Sequence, residues 1–151
     1  TPFLQIAHHC QQAGQPFNYA CLGISETANT QALFRRAEQL NVRFLRDDEI
    51  TSWNLATAQQ LLEEFISPLA ALYLTIDLSV LPAATAPGVS HPASRGLPLE
   101  ILEHLLDEAK RIAGAKLRLA DIAEYNPDLD IENRTARVAA RLCHRILRKA
   151  I

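Results

Sequence analysis

Ala71–Pro98, ALYLTIDLSVLPAATAPGVSHPASRGLP, carries an apolar run straight into an acidic residue and then into a loop rich in proline and glycine. Leu72, Tyr73, Leu74, Thr75 and Ile76 have the composition of a strand buried on both faces, as in a parallel sheet covered by helices. Asp77 then falls where such a strand leaves the core. In an open α/β sheet that point faces the crevice beyond the strand ends, where ligands bind. Within the loop, Pro87-Gly88 forms a turn pair, Gly96 permits a close or left-handed backbone, and Pro98 is placed to start a helix.

Working outward, apolar runs alternate with amphipathic ones. Phe17–Ile24, Val42–Arg46, Ala71–Asp77 and Lys116–Ala123 are expected strands. Helical patterns lie between them: Thr30–Leu40 after the cap-like Asn29, Leu55–Ile66 after Asn54, and Leu99–Ala113 closed by Gly114. A last helix is expected over about Ile131–Ala150, with Val138, Leu142 and Ile146 on its apolar stripe. Short connections between alternating strands and helices predict a single α/β domain over residues 1–151, a mainly parallel sheet between helical layers. The one long irregular stretch, Leu78–Gly96, is of a length that compact domains usually reserve for function.

The 151 residues are 48% hydrophobic with a formal net charge of -2, enough for a sizeable core and no sign of a nucleic-acid or anionic-membrane partner. No apolar run reaches the roughly 20 residues of a membrane helix. Cys10, Cys21 and Cys143 are an odd number without CxxC spacing, which argues against a disulfide framework or structural zinc and for a reducing, cytoplasmic setting. Cys21 and Cys143 read as core residues. Opening on Thr1-Pro2 without methionine, the chain reads as a piece of a longer protein.

The strand ending in Asp77 and the loop APGVSHPASRGLP together resemble the second metal-binding motif of the ureohydrolase (arginase/agmatinase) superfamily, in which a strand ends Asp-x-Asp. Within it, LTIDLSVLPAATAPGVS is closest to the branch that hydrolyses N-formimidoyl-L-glutamate in histidine breakdown, with agmatinase- or arginase-like substrates as the alternative. The resemblance implies a three-layer αβα, arginase-like fold, present here in part, and a pair of manganese ions. Hard, oxygen-rich carboxylates suit that metal, and a hydroxide held between two ions attacks an amidine carbon. Asp77 takes the place of the first aspartate of the motif. Ser79, uncharged and a poor ligand, stands where the second is expected.

By the same resemblance Glu124, in LADIAEYNPDLD, orients the cationic substrate group through charge-assisted hydrogen bonds. Read from the residues alone, it ends a strand before an Asn-Pro turn. Asp121 is expected to support the site or pack against a helix. Ser90 and Arg95 are candidate contacts for a ligand carboxylate, whereas His91 reads as an exposed loop histidine. The superfamily's earlier histidine-bearing and Asp-x-His-x-Asp motifs do not occur in this sequence, so the chain is expected to be a catalytically incomplete portion. A non-catalytic α/β interaction module is the reading from another class.

His8 and His9 are not expected to share a metal, because neighbours on a helix point about 100° apart. Arg134, Arg137, Arg141, Arg145 and Arg148 form a helical stripe, expected to be solvated or paired with acidic neighbours. A subunit contact is the sharper reading of that stripe. The partners expected are a small molecule and further copies of the chain.

Overall fold

The computed structural model describes residues 2–148. Strand β1 (Ala20–Ile24) follows helix α1 (Pro2–Gln12). Then come α2 (Gln31–Gln39), β2 (Arg43–Arg46), α3 (Leu55–Ile66), β3 (Leu72–Asp77), α4 (Leu99–Ala113), β4 (Leu117–Ala123) and α5 (Arg134–Leu147). Helices α3 and α4 have the bounds their periodicity predicts, and Gly114 closes α4 with φ +49°. The cap of α2 is Thr30 rather than Asn29, its hydroxyl accepting from the Leu33 N–H. Strand β1 is shorter than Phe17–Ile24, and α5 starts at Arg134 rather than Ile131. Residues 149–151, which include the predicted end of the last helix, lie outside the described residues.

All pairing is parallel, but it is divided. β1 pairs with β2 and β3 with β4, with no ladder joining the two pairs among the described residues. At the carboxyl edge Gly23 of β1 abuts the side chains of Val80 and Leu97 in the segment that follows β3; a Cβ on Gly23 would stand 2.5 Å from Val80 Cγ2.

One core underlies both pairs. Leu22 and Leu45 from the first and Leu72 and Leu117 from the second pack with Ala58, Leu62 and Ile66 of α3 and Ile101 and Leu105 of α4. A second core joins Ile76 to Leu106 of α4, Leu142 of α5 and the loop residues Leu81, Ala86 and Val89.

Strand alternation assigns the remaining faces. Opposite Leu22 and Leu45, Phe44 packs on Phe34 of α2, so the first pair lies between helical layers. Opposite Leu72 and Ile76, the second pair is bare among the described residues. The expectation of a strand buried on both faces fails here: Tyr73 is 44% and Leu119 57% exposed. The Tyr73 hydroxyl instead donates to Asp121 Oδ2 at 2.6 Å, diagonally across β3 and β4. That contact replaces the packing role expected of Asp121. Cys143 is likewise exposed rather than core, and Cys21 is half-buried.

α5 is bolted to α4 by charge. Arg145 meets Glu103 at 2.9 Å and Asp107 at 2.7 Å, Arg148 meets Asp107 at 3.2 Å, and Arg141 also pairs with Glu103. Lys110 donates to the carbonyls of Arg145 and Arg148 at the carboxyl end of α5, where a cation also favours the helix dipole. Much of the arginine stripe is therefore intramolecular.

An apolar sheet face with free strand edges is a template for association. The chain is expected to show concentration-dependent self-association in sedimentation equilibrium, and Tyr73→Lys with Leu119→Lys to shift it toward monomer. A wild-type chain that stays monomeric to high concentration would contradict this.

Candidate active site

The parallel register sets Asp77 opposite Ala123, so Glu124 emerges one residue further along the same carboxyl edge. Asp77 Oδ1 accepts from the Ser79 N–H at 2.8 Å, capping a single 3-10 turn over Leu78–Val80. This local turn brings the two together, with the Ser79 backbone rather than its hydroxyl touching the carboxylate. Glu124 is exposed and has φ +68°, the left-handed region that a side chain with a Cβ rarely occupies.

The loop between β3 and α4 is ordered by its own packing. Leu81, Ala86, Val89 and Ala93 are buried, and Pro82 bridges Ala93. Gly88 is its fixed point. Its N–H donates to Thr135 Oγ1 at 2.7 Å and its carbonyl accepts from the Asn126 N–H at 2.8 Å. A Cβ at Gly88 would lie 2.7 Å from Asp130 Cβ. Asn126 Nδ2 also donates to Ser90 Oγ at 3.3 Å, which ties Ser90 to the segment that carries Glu124. Arg95 is at the loop's other end, beside the segment connecting β2 to α3, where the buried Asp47 accepts from the Gly96 N–H. Asp77 and Glu124 thus leave the sheet at one edge, Ser90 is tied to the segment that carries Glu124, and Arg95 lines the cavity at the β2–α3 connection. His91 is exposed.

Two features of the site are not marked in the sequence. Asp130 accepts from the N–H groups of Ile131, Thr135 and Ala136, organising the start of α5 where Glu132 and Asn133 are both left-handed. Burial pushes its pKa upward, but the backbone donors of Thr135 and Ala136 outweigh that and hold it at about 2. An aspartate shortly before an amphipathic helix is the only signal that pointed there.

The other feature is the Tyr19–Cys21 contact on β1. Burial, then the Cys21 neighbour, raises the Tyr19 phenol. Burial likewise raises the Cys21 thiol against the lowering effect of Tyr19, and the Asp77 charge adds to both rises. Such a thiol stays protonated and is a poor nucleophile.

Whether these groups fit a metal can be judged from the donors. Among the described residues no three His, Cys, Asp or Glu side chains converge. Asp77 has one oxygen engaged with a backbone N–H, and Ser79 adds only a neutral hydroxyl. One carboxylate does not make the oxygen-rich cage that a hard divalent ion needs. The residues present therefore do not fit a pair of manganese ions by themselves.

A strand-end carboxylate, a second carboxylate one step along the same edge and a packed loop after the first strand are set on a parallel α/β scaffold, and the chain belongs to the Arginase family, whose sequence pattern matches residues 1–148. Formimidoylglutamases are among its curated relatives. That of Ralstonia nicotianae is 56% identical over 147 residues, covering 97% of this chain and 45% of the relative. That of Hahella chejuensis is 58% identical over 146 residues with the same coverage. The solved formimidoylglutamase of Bacillus subtilis superposes with a TM-score of 0.76 at 28% identity, over 85% of this chain and 40% of that one. The fold is arginase-like, and the chain spans about half the length of the curated relatives it matches.

Two substitutions test the edge. Glu124→Gly relieves the left-handed conformation, offset by the entropy that glycine loses, so stability should hold or rise by up to about 1 kcal/mol in urea denaturation; a clear loss would show the side chain to be structural. Asp130→Asn should flatten the acid limb of unfolding. A carboxylate depressed in the folded state contributes fully above its unfolded value of about 3.9 and loses that contribution as pH falls toward its folded value. An unchanged acid transition would exclude the capping account.

Proposed function

We propose that this chain forms the Asp77–Glu124 half of a formimidoylglutamase-type site, hydrolysing N-formimidoyl-L-glutamate to L-glutamate and formamide. In that reaction water adds at the formimidoyl carbon, its bond to the glutamate nitrogen breaks, and the nitrogen leaves protonated as the amino acid. The single observation that carries the reading is the 56% identity to a formimidoylglutamase over nearly the whole chain. Glu124 is the group proposed to hold the cationic formimidoyl end by charge-assisted hydrogen bonds. Ser90, anchored through Asn126, is proposed to meet the carboxylate end. Asp77 and Ser79 remain the proposed metal-side positions, and manganese binding is assigned to the site completed by further ligands rather than to this chain alone. Cytoplasmic location and homo-oligomeric assembly belong to the same proposal. What supports assembly is the bare face of β3 and β4, and what supports the location is the spacing of the three free cysteines, which are in no disulfide.

A second reading, an α/β interaction module without catalysis, is favoured by the capping role of Asp77. One experiment separates the two. The chain alone and its Ser79→Asp variant are expected to retain no stoichiometric manganese after gel filtration and to release no formamide. Mixed with the remaining portion of a formimidoylglutamase relative, the chain should gain hydrolysis, and Glu124→Gln should lower it by about a hundredfold. A complex that forms but stays inert with either residue at position 79 would favour the interaction module.

A further inference from the structure

We propose that a cavity at the far flank of the loop, separate from the Asp77–Glu124 edge, binds a free α-amino acid as its zwitterion. The cavity, about 280 Å³ and half open to solvent, lies between the β2–α3 connection and the start of α4, and Thr51, Trp53, Pro82, Arg95, Glu100 and Ile101 are among its lining residues. That is near the lower end of ligand-pocket sizes, roomy for an amino acid and small for a nucleotide.

Four observations converge on this ligand class. Thr51 Oγ1 is buried without a hydrogen-bond partner, the only such side-chain atom found among the described residues; a buried hydroxyl left unpaired costs about 1–3 kcal/mol and is met by a ligand or water. Arg95 lines the same cavity with no ion pair or hydrogen bond to any described residue, so its guanidinium fork is free for a carboxylate. Glu100 lines it too and forms no ion pair with Arg95. The two opposite charges thus remain apart, where a ligand carrying both signs can satisfy each. Trp53 is 88% exposed at the rim, an indole face available to an ammonium group. The nearby acidic groups do not compete: Asp47 is turned to the Gly96 N–H and Glu49 to the Arg46 backbone. The ligand carboxylate is therefore assigned to Arg95 and Thr51, and its ammonium to Glu100 and Trp53.

This site does not depend on the hydrolase reading, because binding is observed without turnover. Trp53 is the single tryptophan of the sequence, so its fluorescence reports the cavity directly. Titration with L-glutamate is expected to give a saturable change in emission. Arg95→Ala should weaken it by about tenfold or more. Glutarate, which has both carboxylates and no ammonium, should bind at least several-fold more weakly than L-glutamate to the wild-type chain, and the gap should narrow in Glu100→Gln. Arg95 and Glu100 are exposed, and circular dichroism of both variants should match the wild type. Calorimetry with Trp53→Phe checks binding without the reporter. Absence of a saturable signal in both fluorescence and calorimetry, an unchanged affinity in Arg95→Ala, or equal binding of glutarate by the wild-type chain would each overturn the proposal.

Discussion

The backbone of Gly88 is the constraint on which the candidate site depends. Its N–H is held by the Thr135 hydroxyl of α5, its carbonyl by the Asn126 N–H just past β4, and the space beside its Cα is filled by Asp130. Loop, strand end and helix start are thereby fixed to one another at a single residue without a side chain. The bond to Thr135 spans 47 residues of sequence and is buried, so it is shielded from competition by water. Ser90 inherits its position from this clamp, and Glu124 leaves the sheet two residues before Asn126.

The clamp is only as firm as α5, and α5 is held at both ends by electrostatics. Asp130 satisfies the orphan N–H groups of its first turn, while Lys110 meets the last carbonyls and Arg145 locks to Glu103 and Asp107. The buried Glu103, 7% exposed, is tolerable because two guanidinium groups face it; an unpaired carboxylate there would be costly. A stripe of arginines that could have served another molecule is largely spent in placing the helix that holds the loop.

What the sequence makes legible follows from which forces are local. Helices α3 and α4 were readable to the residue because their periodicity and their ends at Asn54 and Gly114 are short-range signals. The direction of the sheet and the common edge of Asp77 and Glu124 were readable because apolar runs alternating with helices leave few parallel topologies. Exposure was not readable. Tyr73 and Cys143 have the composition of core residues, yet whether a face is covered depends on elements distant in sequence, and among the described residues nothing covers the second pair on one side. The roles of Asp130 and Thr135 were hidden for the same reason, since a cap and a long-range hydrogen bond leave no periodic trace. The split of the strands into two pairs likewise depends on which edges meet, which composition does not encode.

Glu124 shows how far the site can be argued from backbone alone. A left-handed residue with a Cβ costs roughly 1–2 kcal/mol relative to the right-handed form, and glycine or asparagine would ease it. The neighbouring structure leaves no slack to avoid the turn, because Asn126 must reach the Gly88 carbonyl within two residues of the strand end. The conformation is therefore imposed by the clamp, while the choice of glutamate within it is not. Glu124 makes no hydrogen bond or ion pair with any described residue, so no internal contact repays the strain. The exposure of Glu124 and the strain at its backbone are the observations that the cation-holding role proposed for it rests on.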